Sequence, residues 1–360
     1  MHSTNQKVVI AMSGGVDSSV AALRLQEAGH EVIGLWMQVQ GEGPAAEEPA
    51  FRQALRIAQY LNIPLTPIDL RSLFEVEVVE YFLREYLNGK TPNPCALCNP
   101  RFKFGLLLEN ALQMGAELFA TGHYARIDSD PLRERLVLLR GVDRRKDQSY
   151  FLWGLSQEQL AHSRFPNGEL TKAEVRRIAQ KGGVPLTEEG ESQEICFIPH
   201  GDYRAFLQRR LADRIGVKGE IVDTAGQVLG KHEGIFGFTI GQRRRIGVPA
   251  RRPYYVLRIE PAFDRVVVGD KEDLLARGLV AQGMHWISIP PPHEEFRAVG
   301  QIRYRHAAAP CQVIPRAEDT VVVRFDEPQE AITPGQALVL YQDDRVLGGG
   351  WIREVEGGQG

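Results

Sequence analysis

AMSGGVDSSV occupies residues 11–20 and decides the fold predicted for the N-terminal half of the chain. The apolar residues 8–11 before the glycines are typical of a buried strand, and the serine-rich segment after them begins a predicted helix over 18–28. Glycines let backbone N–H groups approach an oxyanion closely, and the N-terminus of a helix favours negative charge. The stretch therefore predicts a phosphate-binding loop.

The loop differs from the two commonest phosphate-binding motifs. It lacks the lysine of G-x-x-x-x-G-K-[ST], and it lacks G-x-G-x-x-G. Ser13, Ser18 and Ser19 add hydroxyl donors, and Asp17 is suited to hold Mg²⁺ beside phosphates.

The motif resembles the PP-loop of ATP pyrophosphatases, which transfer adenylate to an oxygen and release pyrophosphate. We therefore expect ATP and Mg²⁺ as cofactors. The predicted ATP-binding residues of the loop are Ala11, Met12, Ser13, Gly14, Gly15, Val16, Asp17 and Ser18.

Strands and helices alternate in the N-terminal half and give way to short strands afterwards. Predicted strands at 7–12, 32–37, 65–70 and 117–121 alternate with predicted helices at 18–28, 51–61, 73–87 and 104–114. This alternation predicts an α/β domain with a doubly wound parallel sheet. Thr171 and Glu174 form a capping-box pattern for a further helix over 172–181. After about residue 215, turn residues separate short predicted strands, among them one over 297–304. We expect a catalytic domain over 1–200, a small central β-rich domain over 201–274 and a C-terminal β-barrel over 275–360.

Composition and charge narrow the class of protein. The 360 residues contain no apolar run of about 18 residues, and the N-terminus does not resemble a signal peptide, so we expect a cytoplasmic protein without a membrane segment. Four cysteines are too few for a disulfide scaffold.

The net charge is −3, yet residues 201–258 hold 12 Lys/Arg against 5 Asp/Glu, a local +7. The clustered arginines at 243–245 suit phosphate binding, because the guanidinium group is permanently charged and can donate two parallel hydrogen bonds.

Three cysteines occur in polar segments. Cys95 and Cys98 have C-x-x-C spacing in TPNPCALCN (91–99), and Cys196 lies in ESQEICFI (191–198). A predicted helix start at residue 102 places Cys98 near the positive end of that helix, which would lower the pKa of its thiol. Cys311 lies in a predicted β-region, where we expect a structural role.

Together these segments resemble the tRNA-specific 2-thiouridylase (MnmA) family along nearly the whole chain. The resemblance is carried by SGGVDSSV (13–20), TPNPCALCN (91–99), TGHYAR (121–126), KDQSYFL (146–152), ICFI (195–198), TIGQRRRIG (239–247), IRYRH (302–306), TPGQ (333–336) and LGGG (347–350). It implies replacement of the C2 oxygen of the wobble uridine by sulfur in tRNAs for Lys, Glu and Gln. A cysteine desulfurase or a sulfur-carrier relay would supply the sulfur.

The resemblance also implies roles for individual residues. The uridine O2 would attack the α-phosphate of ATP, Cys196 would carry a persulfide, and Cys98 would resolve it, ending in a disulfide with Cys196. Met37 and Gly122 match positions that line the adenine pocket. The residues that match tRNA-contacting positions are Asn93, Pro94, Cys95, His123, Lys146, Asp147, Gln148, Arg303, Tyr304 and Gln336. The resemblance further implies that the central domain over 201–274 binds tRNA and that Arg243–Arg245 and Lys103 contact the RNA backbone.

Cys95 departs from the family pattern, because many relatives have an aspartate there that is proposed as a general acid/base. That role cannot be carried onto a thiol. Cys95, Cys98 and Cys196 could instead hold a 4Fe–4S cluster with one iron left open to take sulfide. Zinc is a third alternative and would need a fourth ligand, His123 or His200.

Two other classes of function compete with sulfur transfer. A PP-loop ligase or amidotransferase using ammonia would need a glutaminase domain or partner, and this chain has a cysteine pair and no obvious glutaminase segment. A non-enzymatic tRNA-binding protein would tolerate a degenerate loop, whereas Ser13, Asp17 and the two glycines between them are intact.

Overall fold

A computed structural model describes residues 6–186, 195–198, 201–212, 218–249, 252–317 and 319–356. The strands, in chain order, are β1 (Lys7–Ala11), β2 (Glu31–Gln38), β3 (Leu65–Asp69), β4 (Leu118–Ala120), β5 (Ala125–Asp130), β6 (Arg135–Arg140), β7 (Ser163–Arg164), β8 (Gly219–Val222), β9 (Val228–His232), β10 (Tyr255–Glu260), β11 (Arg265–Gly269), β12 (Leu275–His285), β13 (Phe296–Gln301), β14 (Ala309–Pro315), β15 (Val321–Glu330), β16 (Ala337–Gln342) and β17 (Arg345–Val355).

The helices alternate with strands in the N-terminal half of the chain. They are α1 (Val16–Glu27), α2 (Pro49–Tyr60), α3 (Arg71–Phe74), α4 (Glu80–Leu87), α5 (Pro94–Cys98), α6 (Leu108–Gln113), α7 (Gln157–His162), α8 (Lys172–Lys181) and α9 (Tyr203–Arg210). π-Helical segments join α3 to α4 and α5 to α6, over Glu75–Val79 and Asn99–Leu107. In the described ranges, every helix is too short or too polar to cross a membrane.

The first sheet has the order β3-β2-β1-β4-β7, and every pairing in it is parallel. Both of its faces are covered. Val8 and Ile10 pack with apolar residues of α1, α2 and α8, while Val9 points to the other face and packs with the helical run that contains Phe104 and Leu107. A strand buried on both faces reads as a continuous apolar run, which is why 8–11 are all apolar. The predicted doubly wound α/β domain is confirmed.

One predicted helix begins about ten residues earlier than expected. Helical conformation is continuous from Pro94 to Gln113, because the Asn93 side chain caps the first turn by accepting a hydrogen bond from the Ala96 N–H at 3.2 Å. Pro94 at the first helical position needs no N–H partner. Pro100 lies inside the run, where a π-helical segment replaces regular α-helix. Cys98 therefore lies within a helical run and not ahead of a helix, and the predicted position at a positive helix end is wrong.

Two further sheets follow. β10-β11-β8-β9 form a four-stranded sheet, and the remaining strands form an eight-stranded one with the order β12-β15-β14-β13-β16-β17-β6-β5. The additional pairing of β12 with β17 closes six of these strands into a barrel, which confirms the predicted C-terminal barrel. The hairpin of β5 and β6 extends the same sheet. The strand predicted over 297–304 ends earlier, at Gln301, whose side-chain amide donates to the carbonyls of Arg303 and Tyr304 and holds them in a turn.

The barrel also holds the segment that precedes α5. The Thr91 N–H donates to the Pro334 carbonyl at 3.0 Å, and the Gln336 side chain donates to the Thr91 carbonyl at 2.9 Å. A Cβ at Gly335 would lie 3.0 Å from the Thr91 carbonyl oxygen, so the two segments touch at backbone distance. The barrel therefore positions the start of the cysteine-bearing helix from outside the parallel sheet.

Candidate active site

The glycine loop connects β1 to α1 and leaves the N-terminus of this helix open. Gly15 is the N-cap and no side chain caps the helix, so backbone N–H groups of the first turn face the cavity described below. Gly14 has φ +82°, and a Cβ there would lie 3.1 Å from backbone atoms of α2. The Ser18 and Ser19 hydroxyls donate to the Gly15 carbonyl at 3.1 and 2.8 Å and brace the turn. This geometry suits an oxyanion.

Asp17 is the centre of a hydrogen-bond network at the start of α1. Lys172 Nζ lies 2.7 Å from its Oδ1 and 2.8 Å from its Oδ2, and the Tyr124 hydroxyl donates to Oδ1 at 2.6 Å. The Asn167 side-chain amide donates to the Asp17 carbonyl at 2.8 Å. Sequence reasoning missed these partners, which lie more than 100 positions away, although the capping box that starts α8 at Lys172 is confirmed.

The predicted residue Gly122 lies against the glycine loop. A Cβ at Gly122 would be 2.7 Å from the backbone carbon of Asp17 and the nitrogen of Ser18. Its neighbour His123 is buried and hydrogen-bonded through Nδ1 to the Thr121 hydroxyl at 2.7 Å. Burial and the nearby Lys103 lower the pKa of His123 well below its ordinary value, so the ring is neutral at pH 7.

A single cavity of about 1630 Å³ joins the glycine loop to all three predicted thiols. We call it the joint cavity. Other predicted site residues that line it are Met37, Asn93, Pro94, Gly122, His123, Lys146, Asp147, Gln148, Tyr304 and Gln336. Arg303 precedes Tyr304 but is not part of the cavity wall. The glycine loop and Cys196, which are nearly 180 positions apart in the chain, thus share one space with Cys95 and Cys98.

The three thiols differ in exposure. Cys98 is buried, Cys95 is half-buried and Cys196 is exposed. Burial raises the pKa of Cys95 to about 11 and that of Cys98 to about 12. Cys196 is accessible from the cavity, yet the protein around its thiol still removes part of its solvation and raises its pKa. Lys103 opposes each of these shifts without reversing them. The lowered pKa predicted for Cys98 is therefore wrong, because its side chain packs among Phe74, Phe102 and other core residues of its cluster.

Cys196 is held by its neighbour in the chain. Phe197 packs edge-on against Phe74 and Phe82, with ring centroids 5.7 and 5.3 Å apart, and also contacts Phe206. This aromatic cluster includes Cys98 and anchors residues 195–198 beside the helix that bears the C-x-x-C pair. Cys311, by contrast, is fully buried between strands of the barrel, with its thiol 3.5 Å from the Ala298 carbonyl.

The arrangement of the described residues does not fit a resident metal. Within those residues, no three His, Cys, Asp or Glu side chains are grouped so as to hold an ion. The three thiols line the same cavity, and a cluster or zinc ion bound there would have to displace their protons. His200, considered as a zinc ligand, lies outside the described residues. Asp17 fits a Mg²⁺ that arrives with a nucleotide, because such ions use one or two carboxylates plus phosphate oxygens.

Several predicted tRNA-contacting residues make hydrogen bonds inside the protein. Asp147 is buried and binds Arg140, the Gly141 N–H and both the N–H and hydroxyl of Ser149, at 2.9 to 3.1 Å. Gln148 accepts the Tyr124 N–H at 3.1 Å. Arg140, which sequence reasoning missed, also lies 3.5 Å from the centroid of the Tyr341 ring. The KDQSYFL segment is thus a rigid wall of the joint cavity.

Comparison with known proteins agrees with this architecture. Family models match residues 6–200, described as a tRNA methyl transferase HUP domain, 204–270, described as a tRNA methyl transferase PRC-barrel domain, and 276–352, described as an aminomethyltransferase beta-barrel domain. A protein from Syntrophotalea carbinolica, named tRNA-specific 2-thiouridylase MnmA, is 49% identical over 98% of this chain and 100% of its own length. The chain belongs to the tRNA-specific 2-thiouridylase MnmA family.

Other MnmA proteins are similarly close. Relatives with the same name from Geobacter metallireducens and Geotalea uraniireducens are 48% and 46% identical, covering 96% and 97% of this chain and 96% of each relative. The resemblance to the MnmA family, inferred from motifs in all three parts of the sequence, is therefore confirmed.

Proposed function

We propose that this chain is an ATP-dependent tRNA-uridine 2-sulfurtransferase. The observation that carries the proposal is the joint cavity, in which an open PP-loop and three thiols face one space wide enough for a nucleotide and an extruded base. ATP and Mg²⁺ serve the activation step. Bound Mg²⁺ would be held by Asp17 and the phosphates, where it neutralises phosphate charge.

The first half of the reaction is adenylation. The uridine O2 attacks the α-phosphorus of ATP, the bond between this phosphorus and the bridging oxygen breaks, and pyrophosphate leaves while the N3 proton passes to water. The N–H groups at the start of α1 and the hydroxyls of the loop bind the departing phosphates. Adenylation turns the C2 oxygen into a good leaving group.

The second half is sulfur transfer, and exposure assigns the two thiols different tasks. Cys196 is exposed and accepts a persulfide from a donor, whereas Cys98 is buried behind it. The terminal sulfur attacks C2, and AMP leaves with the former O2. The Cys98 thiolate attacks Sγ of Cys196, so the bond to the terminal sulfur breaks and a Cys98–Cys196 disulfide forms. An external dithiol then reduces this disulfide.

Membership of the MnmA family also supports a specific substrate, a sulfur donor and a location in the cell. We propose the wobble uridine of tRNAs for Lys, Glu and Gln as the target, a cysteine desulfurase or sulfur-carrier relay as the donor, and the cytoplasm as the location. Lys146, His123 and Tyr304 are among the predicted contacts that line the joint cavity. The ring centroid of Tyr304 lies 4.4 Å from that of Phe151, with the two rings tilted by 41°, and together they form an aromatic surface that an unpaired base can contact.

Pyrophosphate release and nucleoside analysis test the proposal together. With ATP, Mg²⁺, a persulfide donor and unmodified tRNA, we expect pyrophosphate release that requires tRNA, and 2-thiouridine in the digested product. Replacing Cys196 with serine should abolish 2-thiouridine and spare pyrophosphate release. Release that needs ammonia and a small acceptor would instead establish an amidotransferase, and no release with any acceptor would establish a binding protein.

The alternative sulfur source is a 4Fe–4S cluster on Cys95, Cys98 and Cys196. Its test is anaerobic purification followed by iron and sulfide analysis, compared with the same preparation of Cys95→Ser. We expect less than stoichiometric iron and thiolation that survives the Cys95→Ser change. About four irons and four sulfides per chain, lost in Cys95→Ser together with thiolation, would replace the persulfide route by the cluster.

A further inference from the structure

Asp17, the carboxylate of the PP-loop, already has a cation bound to it. Lys172 Nζ lies within 2.8 Å of both carboxylate oxygens, and its side chain is only 8% exposed against 37% for Asp17. We propose that Lys172 is a positioning residue that orients Asp17 and excludes free divalent cations from it, so that metal enters only with a nucleotide.

The surroundings of Asp17 fix both its orientation and its remaining binding capacity. Oδ1 accepts from Lys172 and from the Tyr124 hydroxyl, which fills its two acceptor positions. Within the part of the chain that the structure describes, Oδ2 accepts from Lys172 alone, so one acceptor position stays open on the half-exposed side of the carboxylate. The Asn167 amide holds the Asp17 carbonyl and thereby the first turn of α1.

Lys172 is itself fixed at both ends. Its backbone N–H donates to Asp143 Oδ2 at 2.9 Å, and the capping box of Thr171 and Glu174 sets the start of α8 directly beside it. Its ammonium also lies 5.9 Å from the centroid of the Tyr124 ring. Because these contacts hold Lys172 in place, its ammonium group stays next to Asp17 when a solvated cation approaches.

Charge explains the selectivity for a nucleotide-borne metal. The Lys172 ammonium repels a free divalent cation at Oδ2 over a few ångströms in a partly desolvated site, where such repulsion is stronger than in water. A metal that arrives on a triphosphate brings a net negative charge, which the ammonium and the open helix N-terminus attract. The inference rests on the proposed function only in taking a nucleoside triphosphate as the ligand of this loop.

Mn²⁺ binding to the nucleotide-free, full-length protein tests the inference. The probe is Mn²⁺ alone, followed by electron paramagnetic resonance as loss of the free-ion signal. We expect Lys172→Met to bind one Mn²⁺ at least about tenfold more tightly than the wild type, because one repelling charge is gone. Lys181→Met, on the exposed end of the same helix, should bind Mn²⁺ like the wild type.

Two further variants make the result decisive. Asp17→Asn combined with Lys172→Met should lose the gained site, and Lys172→Arg, which keeps the charge, should not gain it. A folded Lys172→Met protein with wild-type Mn²⁺ affinity would overturn the inference, as would a gain that persists in the double variant. Circular dichroism and the thermal midpoint of each variant verify folding. No tRNA or ATP is present, so this outcome is independent of whether the thiolation assay succeeds.

Discussion

At the scale of single residues, Gly122 lies so close to the backbone of the PP-loop that no larger side chain fits at this position. Gly122→Ala would place a Cβ 2.7 Å from the backbone of Asp17 and Ser18, where no flexible side chain can give way. We expect a loss of about 2 kcal/mol in the free energy of unfolding from this overpacking, together with weaker ATP binding. Urea unfolding of the variant and isothermal titration with MgATP measure the two effects.

Gly237→Ala is the matched control, because a Cβ there would meet nothing within 4 Å and the residue has no positive φ. Its unfolding midpoint and ATP affinity should equal those of the wild type. If Gly122→Ala behaved like Gly237→Ala, the tight contact between residue 122 and the loop would be refuted.

The raised pKa values of the thiols predict how their reactivity depends on pH. Burial raises the pKa of Cys95 to about 11 and of Cys98 to about 12, so the thiolate fraction of both rises with pH throughout the neutral range. We expect iodoacetamide alkylation of these two residues to accelerate about tenfold per pH unit between pH 7 and 9 without a plateau. Peptide mass spectrometry of timed samples gives the rate at each cysteine.

The fully exposed thiol of a short cysteine peptide is the reference for this measurement, and its rate should level off near pH 9 because its pKa is ordinary. If the alkylation rate of Cys98 reached a plateau below pH 8, its thiolate would be stabilised in the folded protein. That result would contradict the raised pKa expected from the burial of this residue.

The sequence predicted which residues meet at the site better than it predicted their chemical state. SGGVDSSV is a local motif, so its loop could be predicted from the strand, the glycines and the helix that follow one another. The environment of Cys98 could not, because it depends on aromatic residues from distant segments, such as Phe74 and Phe197. The Lys172–Asp17 pair spans 155 positions and leaves no local signature.

At the scale of elements, the loop after β6 depends on one buried carboxylate. Asp147 accepts hydrogen bonds from the Gly141 N–H, the Ser149 N–H and hydroxyl, and Arg140. Removing it takes the acceptor from these three N–H or O–H donors and the ion-pair partner from the largely buried Arg140 guanidinium. We expect Asp147→Ala to cost about 3 kcal/mol of stability and to reduce tRNA binding, because the Lys146–Gln148 wall loses its order. Thermal unfolding and filter binding of tRNA are the measurements.

Asp128→Ala, on the neighbouring β5, is the control for this change, since Asp128 is exposed and accepts only the adjacent Ser129 N–H. It should unfold like the wild type. Normal stability in Asp147→Ala with lost tRNA affinity would show that Asp147 contacts the RNA directly, as the family resemblance alone implies.

Elements with local signals were predicted well, and elements set by packing were not. The helix α8 begins at its predicted capping box, and β1 follows its apolar run. The helical run from Pro94 was predicted to start too late, because Asn99-Pro100 is typical of a helix boundary. In the structure, a π-helical segment accommodates Pro100 inside the run. The strand after Phe296 was predicted too long, because its last residues are bent away by the Gln301 side chain.

At the scale of the whole molecule, the barrel and the parallel sheet meet at the segment before α5. The Gln336 amide donates to the carbonyls of Thr91 and Pro92, and this side chain, with the backbone bond between Thr91 and Pro334, ties the barrel to the cysteine-bearing helix. We expect Gln336→Ala to raise amide hydrogen exchange in residues 91–98 severalfold at unchanged global stability. Exchange followed by mass spectrometry resolves this peptide, and Gln342→Ala at the exposed end of β16 is the control that should change nothing.

The central domain provides the positive charge that an anionic partner needs on a chain of net charge −3. Arg243, Arg245 and Arg252 line a second cavity of about 420 Å³ there, and Arg243–Arg245 are all exposed. We expect Arg243→Ala with Arg244→Ala to weaken tRNA binding and to lower the slope of log affinity against log salt by about 1 to 2, one released counterion for each lost phosphate contact. Filter binding at several salt concentrations measures the slope.

The control for that variant removes two arginines whose charge is already neutralised. Arg297 and Arg324 lie on the barrel and are ion-paired with Asp326 and Glu356. Because these pairs carry no net charge toward solvent, Arg297→Ala with Arg324→Ala should leave the salt slope within error of the wild type. If the salt slope were equal in both double variants, the RNA-binding surface would lie outside the central domain. If the slope falls only when Arg243 and Arg244 are replaced, the tRNA backbone binds where the chain carries its local excess of positive charge.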